Sequence, residues 1–194
     1  KPGAGRFEAG ATMLAVDVAL AKEGQELRFH PSTRAQATLG GFVAGGAAGV
    51  GSCTWGQIDN PGAVLAVEVM TVEETPRFVE LRGPDILKVM HAYGVNGIIT
   101  EVEMPLAGAQ PWAERIAVFP TLKSAAAFGQ AFAELDGVAK KLISIHDPAI
   151  VPYLKRLGPY LEADAAFAIL MVSEPQSDVL ERLVAEHGGR VTYR

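Results

Sequence analysis

The chain of 194 residues contains one cysteine, Cys53. That scarcity excludes an intrachain disulfide framework and a thiolate-rich metal site. It fits a reducing compartment, and the expected localisation is cytoplasmic. No apolar run approaches the ~20 residues of a membrane helix, so no membrane span is expected. Positive charge is also short: 17 Lys and Arg stand against 22 Asp and Glu, for a net charge of -5. Nucleic-acid binders carry a basic patch, and this balance excludes that class. The histidines, His30, His91, His146 and His187, form no pair at metal-ligand spacing, so no metal site is expected. No glycine-flanked serine elbow supports a hydrolase. The opening Lys1-Pro2-Gly3 has no methionine and does not read as a secretory signal. A strand from Arg6 reads as though already inside a fold, and the expectation is a start further upstream.

What is present suffices for a buried core: 49% of the residues are apolar and 20% charged, ordinary globular usage. The length suits one ordinary domain or two small ones. A boundary is expected at 107–111, where Ala, Gly, Gln and Pro cluster. Before it the pattern predicts a strand at 6–9, then a helix from the cap Thr12 to the stop Gly24, with Leu14, Val18 and Ala21 on one face. A short strand at 27–29 leads into a glycine-dense stretch, 30–61, with a helical turn after Thr38. A buried strand at 64–72 pairs as a hairpin with 77–81. A short helix opens at Asp85 and ends before Gly94, and a strand covers 98–106. Glu101 and Glu103 alternate with Val102 and Met104, which puts them on the wet face.

Beyond the boundary the rhythm is clearer. Strands are predicted at 115–119, 142–145, 167–172 and 190–193. Thr121 caps a helix striped with Ala125, Phe128, Phe132 and Leu135, and Ser177 begins another with Leu180, Leu183 and Val184. The connection 150–161 is broken by Pro152 and Pro159. Strand-helix-strand repeated twice is the ferredoxin-like pattern, with helices on one face of an antiparallel sheet.

The feature that points to chemistry is the run from His30 to Gly56, crowded with Gly40, Gly41, Gly45, Gly46, Gly49, Gly51 and Gly56. Glycine and alanine let backbone approach a bulky ligand closely. If Thr38 starts a helix, its free N–H groups suit a pyrophosphate. From composition alone, a mobile loop or tight helix packing through Gly40, Gly41 and Ala44 explains the run equally well. No Lys and Ser/Thr pair follows the glycines, so this is not a Walker loop. A Rossmann fingerprint fails too, because Gly3 and Gly5 precede a strand where it should follow one. Cys53 reads as an inert small residue, and Trp55 either stacks on a ligand or anchors the loop or core.

The same run resembles the FAD domain of the vanillyl-alcohol-oxidase (PCMH-type FAD-binding) superfamily, in particular the glycolate oxidase FAD subunits and D-lactate dehydrogenases. Carrying the resemblance are Pro31-Ser32, Ala37 to Gly41, Ala44-Gly45-Gly46, Trp55-Gly56, an upstream Glu8-Ala9-Gly10, and Gly97 to Val102 in the closing strand. The match runs in order from Arg6 to Leu106. It implies an α+β chain: residues 1–108 as the second subdomain of such an FAD-binding domain, and 109–194 as a ferredoxin-like portion of the substrate or cap domain. It also implies FAD as cofactor. Pro31, Ser32, Thr38, Gly40, Gly41 and Ala44 would line its pyrophosphate and flavin side, Gly51, Ser52 and Gly56 would follow it further along, and Ile98 and Ile99 would meet it through backbone. His30 is a lesser candidate for the flavin side.

Phe42 and Gly45 depart from the family's commoner Asn and Thr. The family's first subdomain, with its own pyrophosphate loop, and its later cap segment with substrate-binding Arg and His find no counterpart here. The implied function is an FAD-dependent oxidoreductase that oxidises a small hydroxy acid or alcohol, with FAD and a small-molecule substrate as its partners. This chain alone is expected to be inactive, and no catalytic residue is named. The alternative is a non-enzymatic partner or regulatory subunit with an incomplete FAD site, in a homo-oligomer or beside a subunit that supplies the missing segments.

Overall fold

A computed structural model describes residues 3–194; Lys1 and Pro2, which open the first expected domain, lie outside the described residues. The chain divides into two compact units, 1–109 and 110–194. Both mix helices with antiparallel sheet, so the chain is α+β.

The first unit is organised by its last strand. It holds β1 (Ala4–Glu8), α1 (Met13–Ala21), β2 (Gln25–Leu27), α2 (Leu39–Gly45), α3 (Ser52–Trp55), β3 (Ala66–Met70), β4 (Phe78–Arg82) and β5 (Ile98–Gly108). The sheet runs β1-β5-β3-β4, with β2 also paired to β5. Period-two alternation turns Val67 and Val69 of β3 and Val102 and Met104 of β5 onto a core with Met13, Val16, Leu39, Phe42 and Val43 from α1 and α2. The opposite face is charged. Arg6 pairs with Glu68, Glu80 and Glu101, and Arg82 with Glu80 and Glu103. Glu101 and Glu103 thus stand on the wet face, as their alternation predicts. Arg82 and then Arg6 hold the Glu80 carboxyl below the ordinary carboxylate range.

Two expectations for this unit fail. In α1 the buried residues are Met13 and Val16, while Leu14 and Val18 are 37% and 57% exposed. Apolar residues go all the way round this helix, so periodicity could not select the buried face. The helix expected from Asp85 to Gly94 is only a 3-10 turn, Gly83–Lys88. After it the backbone enters the left-handed region at His91 and Tyr93, φ 54° and 51°, which no helix tolerates. Sequence reading also missed α3.

The second unit follows the predicted order. It contains β6 (Trp112–Phe119), α4 (Leu122–Glu134), β7 (Lys140–His146), β8 (Ala166–Ser173), α5 (Ser177–Glu186) and β9 (Arg190–Tyr193). The strands order β7-β8-β6-β9, all pairs antiparallel, which is the ferredoxin-like arrangement. Ala125, Phe128 and Phe132 of α4 and Leu180 and Val184 of α5 pack with Ala117, Phe119, Ala168 and Leu170 of the sheet. Of the expected stripes these five are buried, while Leu135, just past the end of α4, and Leu183 pack partly buried against them. Val151, Leu154 and Leu161, from the 3-10 connection after β7, pack against Val118 and Phe167.

Candidate functional site

The local structure of α2 builds the candidate site. Thr38, extended at φ -91°, caps the helix through its hydroxyl, which accepts the Gly41 N–H. Gly46 in the left-handed conformation ends it. The helix can settle against the end of β1 because Gly40 has no side chain: a Cβ there would lie 2.6 Å from the Ala9 Cβ. On the exposed side of this contact lies an open groove of about 360 Å³, lined by Ala9, Gly10, Thr38, Gly40, Gly41, Ala44, Gly94, Gly97, Ile98 and Ile99.

Of the site residues expected from sequence, the structure brings Thr38, Gly40, Gly41, Ala44, Ile98 and Ile99 together in this groove. Pro31, Ser32, Gly51, Ser52 and Gly56 are not among its lining. Pro31 follows His30, which bridges Val50 by backbone hydrogen bonds in both directions. Gly51 allows that close approach: its φ is +105° and a Cβ would come within 1.9 Å of the Arg28 carbonyl oxygen. Ser52 turns its hydroxyl inward to the Gly49 carbonyl at 2.7 Å. A Cβ on Gly56 would meet the Asn60 side chain. Close approach within the chain accounts for glycine at Gly51 and Gly56. His30 is buried and lies outside the groove lining. Cys53 is exposed, and Trp55 packs against the core as an anchor.

Ala9, Gly10, Gly94 and Gly97 were not expected to line the groove. The signal for them was present in part, since Ala9-Gly10 and Gly97 belong to the segments that carry the family resemblance. Gly94 had no signal beyond being the expected stop of a helix.

One expectation about the chemistry is overturned. The N–H groups opening α2 are not free for a pyrophosphate: Leu39 donates to the Ala11 carbonyl at 3.0 Å, Gly40 to Ala9 at 2.9 Å, and Gly41 to the Thr38 hydroxyl. Docking the helix on the loop after β1 uses the groups that would otherwise point at an anion. The lining contains no charged side chain. Such a surface suits the flat and apolar parts of a large ligand, with backbone in close approach, better than its charged parts. At about 360 Å³ the groove would hold part of a dinucleotide.

Residues 4–77 match the family model of an FAD binding domain. This match assigns FAD as the cofactor, and the groove's small-residue lining fits a portion of it. No curated protein matches the chain. Among solved structures it is similar to alkyldihydroxyacetonephosphate synthase in two crystal forms. Both comparisons give a TM-score of 0.71 over 98% of this chain, at 19% and 20% identity. They cover 39% and 40% of the synthase chains, so this chain spans about two-fifths of their length. At that identity the likeness establishes the fold alone.

Proposed function

We propose that the chain is part of an FAD-dependent oxidoreductase acting on a small hydroxy acid or alcohol. The observation that carries the reading is the coincidence of two findings: the FAD-domain match at 4–77, and a groove to which that stretch contributes Ala9, Gly10, Thr38, Gly40, Gly41 and Ala44. When bound, FAD supplies the redox chemistry by accepting a hydride equivalent from the substrate. The chain's own residues would seat and orient it: Ala44 and Gly41 through their small surfaces, Ile98 and Ile99 through apolar contact, and Thr38 by fixing the start of α2. The glycolate oxidase or D-lactate dehydrogenase type of substrate rests on sequence resemblance alone. The test is an anaerobic absorption spectrum of the FAD-loaded protein, in this chain and in a form extended upstream, titrated with glycolate and D-lactate. Bleaching of the flavin bands supports the reading. Bands unchanged by any hydroxy acid or alcohol in a yellow protein contradict it.

A second reading is favoured by exposed apolar residues. Met70 is in register with Phe78 on one side and Ile98 on the other, and Phe78, Ile98, Val72 and Val95 all stand largely in solvent. Such a surface suits association with another subunit. Sedimentation velocity that finds a monomer at every concentration would sink it.

A further inference from the structure

The segment from His91 to Gly94 is held in a conformation that L-residues rarely take. Among the described residues, His91 and Tyr93 are the non-glycine positions with positive φ. Strain of this kind persists only where surrounding bonds impose it, and it gathers where ligands bind. The bonds are on α2. The His91 N–H donates to the Val43 carbonyl at 3.2 Å and the Tyr93 N–H to Ala44 at 3.0 Å, satisfying carbonyls in the last turn, where helical partners run out. That path needs the left-handed backbone, but it does not need a tyrosine. Glycine or asparagine would follow it at lower cost.

The tyrosine that stands there is braced. Its hydroxyl lies 3.0 Å from His91 Nε2, and the two rings are 5.2 Å apart. It is nevertheless 74% exposed, so the ring covers little of its own protein. Its neighbour Gly94 lines the groove together with Ala44, Gly97 and Ile98. Tyr93 is thus one residue from the groove lining, in the segment bonded to α2. Residues 91–99 also lie beyond the 4–77 stretch matched to an FAD binding domain, so that match assigns them nothing.

We propose that Tyr93, braced by His91, is a ligand-stacking residue whose ring packs on one of the flat ring systems of FAD at the Gly94 end of the groove. This rests on the FAD reading of the groove and extends the site to a segment outside the match. The chemistry agrees with the lining. With no charged side chain in the groove and the first N–H groups of α2 already bonded, flat contact is an interaction that strengthens binding. A fixed aromatic face supplies it at little entropic cost.

The test compares FAD affinity and thermal midpoint across wild type, Tyr93→Gly, Tyr93→Leu and Tyr93→Phe. Tyr93→Gly removes both strain and ring, so its melting temperature rises while FAD binding weakens by about tenfold, the scale of a lost stack. Tyr93→Leu keeps the strained backbone without the ring and weakens FAD to the same degree. Tyr93→Phe keeps the ring and binds close to wild type. Wild-type affinity in Tyr93→Gly or in Tyr93→Leu overturns the stacking role while leaving the FAD reading intact. A wild-type protein that binds no FAD overturns both.

Discussion

Gly40 and Gly45 share one short helix and answer to opposite constraints. A Cβ on Gly40 would lie 2.6 Å from the Ala9 Cβ, whereas one on Gly45 meets nothing within 4 Å. Gly40→Ala must push α2 off the end of β1 and is expected to cost about 1–3 kcal/mol. Gly45→Ala enters open space in a helical conformation and should add about 0.5–1 kcal/mol by restricting the unfolded chain. Urea denaturation checks both signs. Composition could show that glycines crowd this stretch, but it could not separate their reasons. Gly40 permits a close contact, Gly51 tolerates a positive φ against the Arg28 carbonyl, Gly41 leaves room for the capping Thr38 hydroxyl, which a Cβ would meet at 2.9 Å, and Ala44 faces open groove. That is why part of the expected site is gathered in the groove and Pro31, Ser32, Gly51, Ser52 and Gly56 are not. What a glycine's missing side chain would have met is decided by distant residues, which local pattern does not encode.

At the scale of the element, α4 shows what sequence reading does well. Thr121 and Ser124 cap each other's backbone in a reciprocal box at its start. At its end the Lys140 ammonium donates to the carbonyls of Phe132, Ala133 and Leu135 at 2.8, 2.8 and 2.6 Å. The cap and the Phe128–Phe132 stripe were legible because both are local. The Lys140 contribution was not, since it reaches back from the next strand. Thr121→Ala is expected to destabilise the second unit by about 1 kcal/mol, read from the thermal or urea midpoint. An unchanged midpoint would mean that the box adds nothing beyond the Lys140 cap. The contrast is α1, whose apolar residues on every side hid the buried face. The segment after β4 is the other contrast, where left-handed residues end what looked like a helix. Element type and order survived in the second unit because its strands and helices alternate with strong stripes. In the first unit, packing of a small helix on a loop outweighed propensity.

Across the whole molecule, paired charges set the response to acid. Glu181 is held below the ordinary carboxylate range chiefly by Arg194 and then by Arg115, Glu80 by Arg82 and Arg6, and Glu73 by Arg77. Burial lowers the His146 pKa. Each of these groups takes its proton more readily when unfolded, so falling pH favours the unfolded chain. A slight loss of stability is expected through the ordinary histidine range and a further loss below the ordinary carboxylate range. The acid step should be modest, because exposed pairs are weak, and shallower still in Glu181→Gln. A urea midpoint that rises on acidification would reverse the sign.

The central claim is that FAD is seated in the groove along α2. The most direct test is the absorption spectrum of the protein after incubation with FAD and removal of the excess, for wild type and for Ala44→Leu, which fills the groove from its lining. The account predicts flavin bands retained by wild type and lost in Ala44→Leu, with matching thermal midpoints for the two apoproteins. A colourless wild type, or equal retention by both, would contradict it.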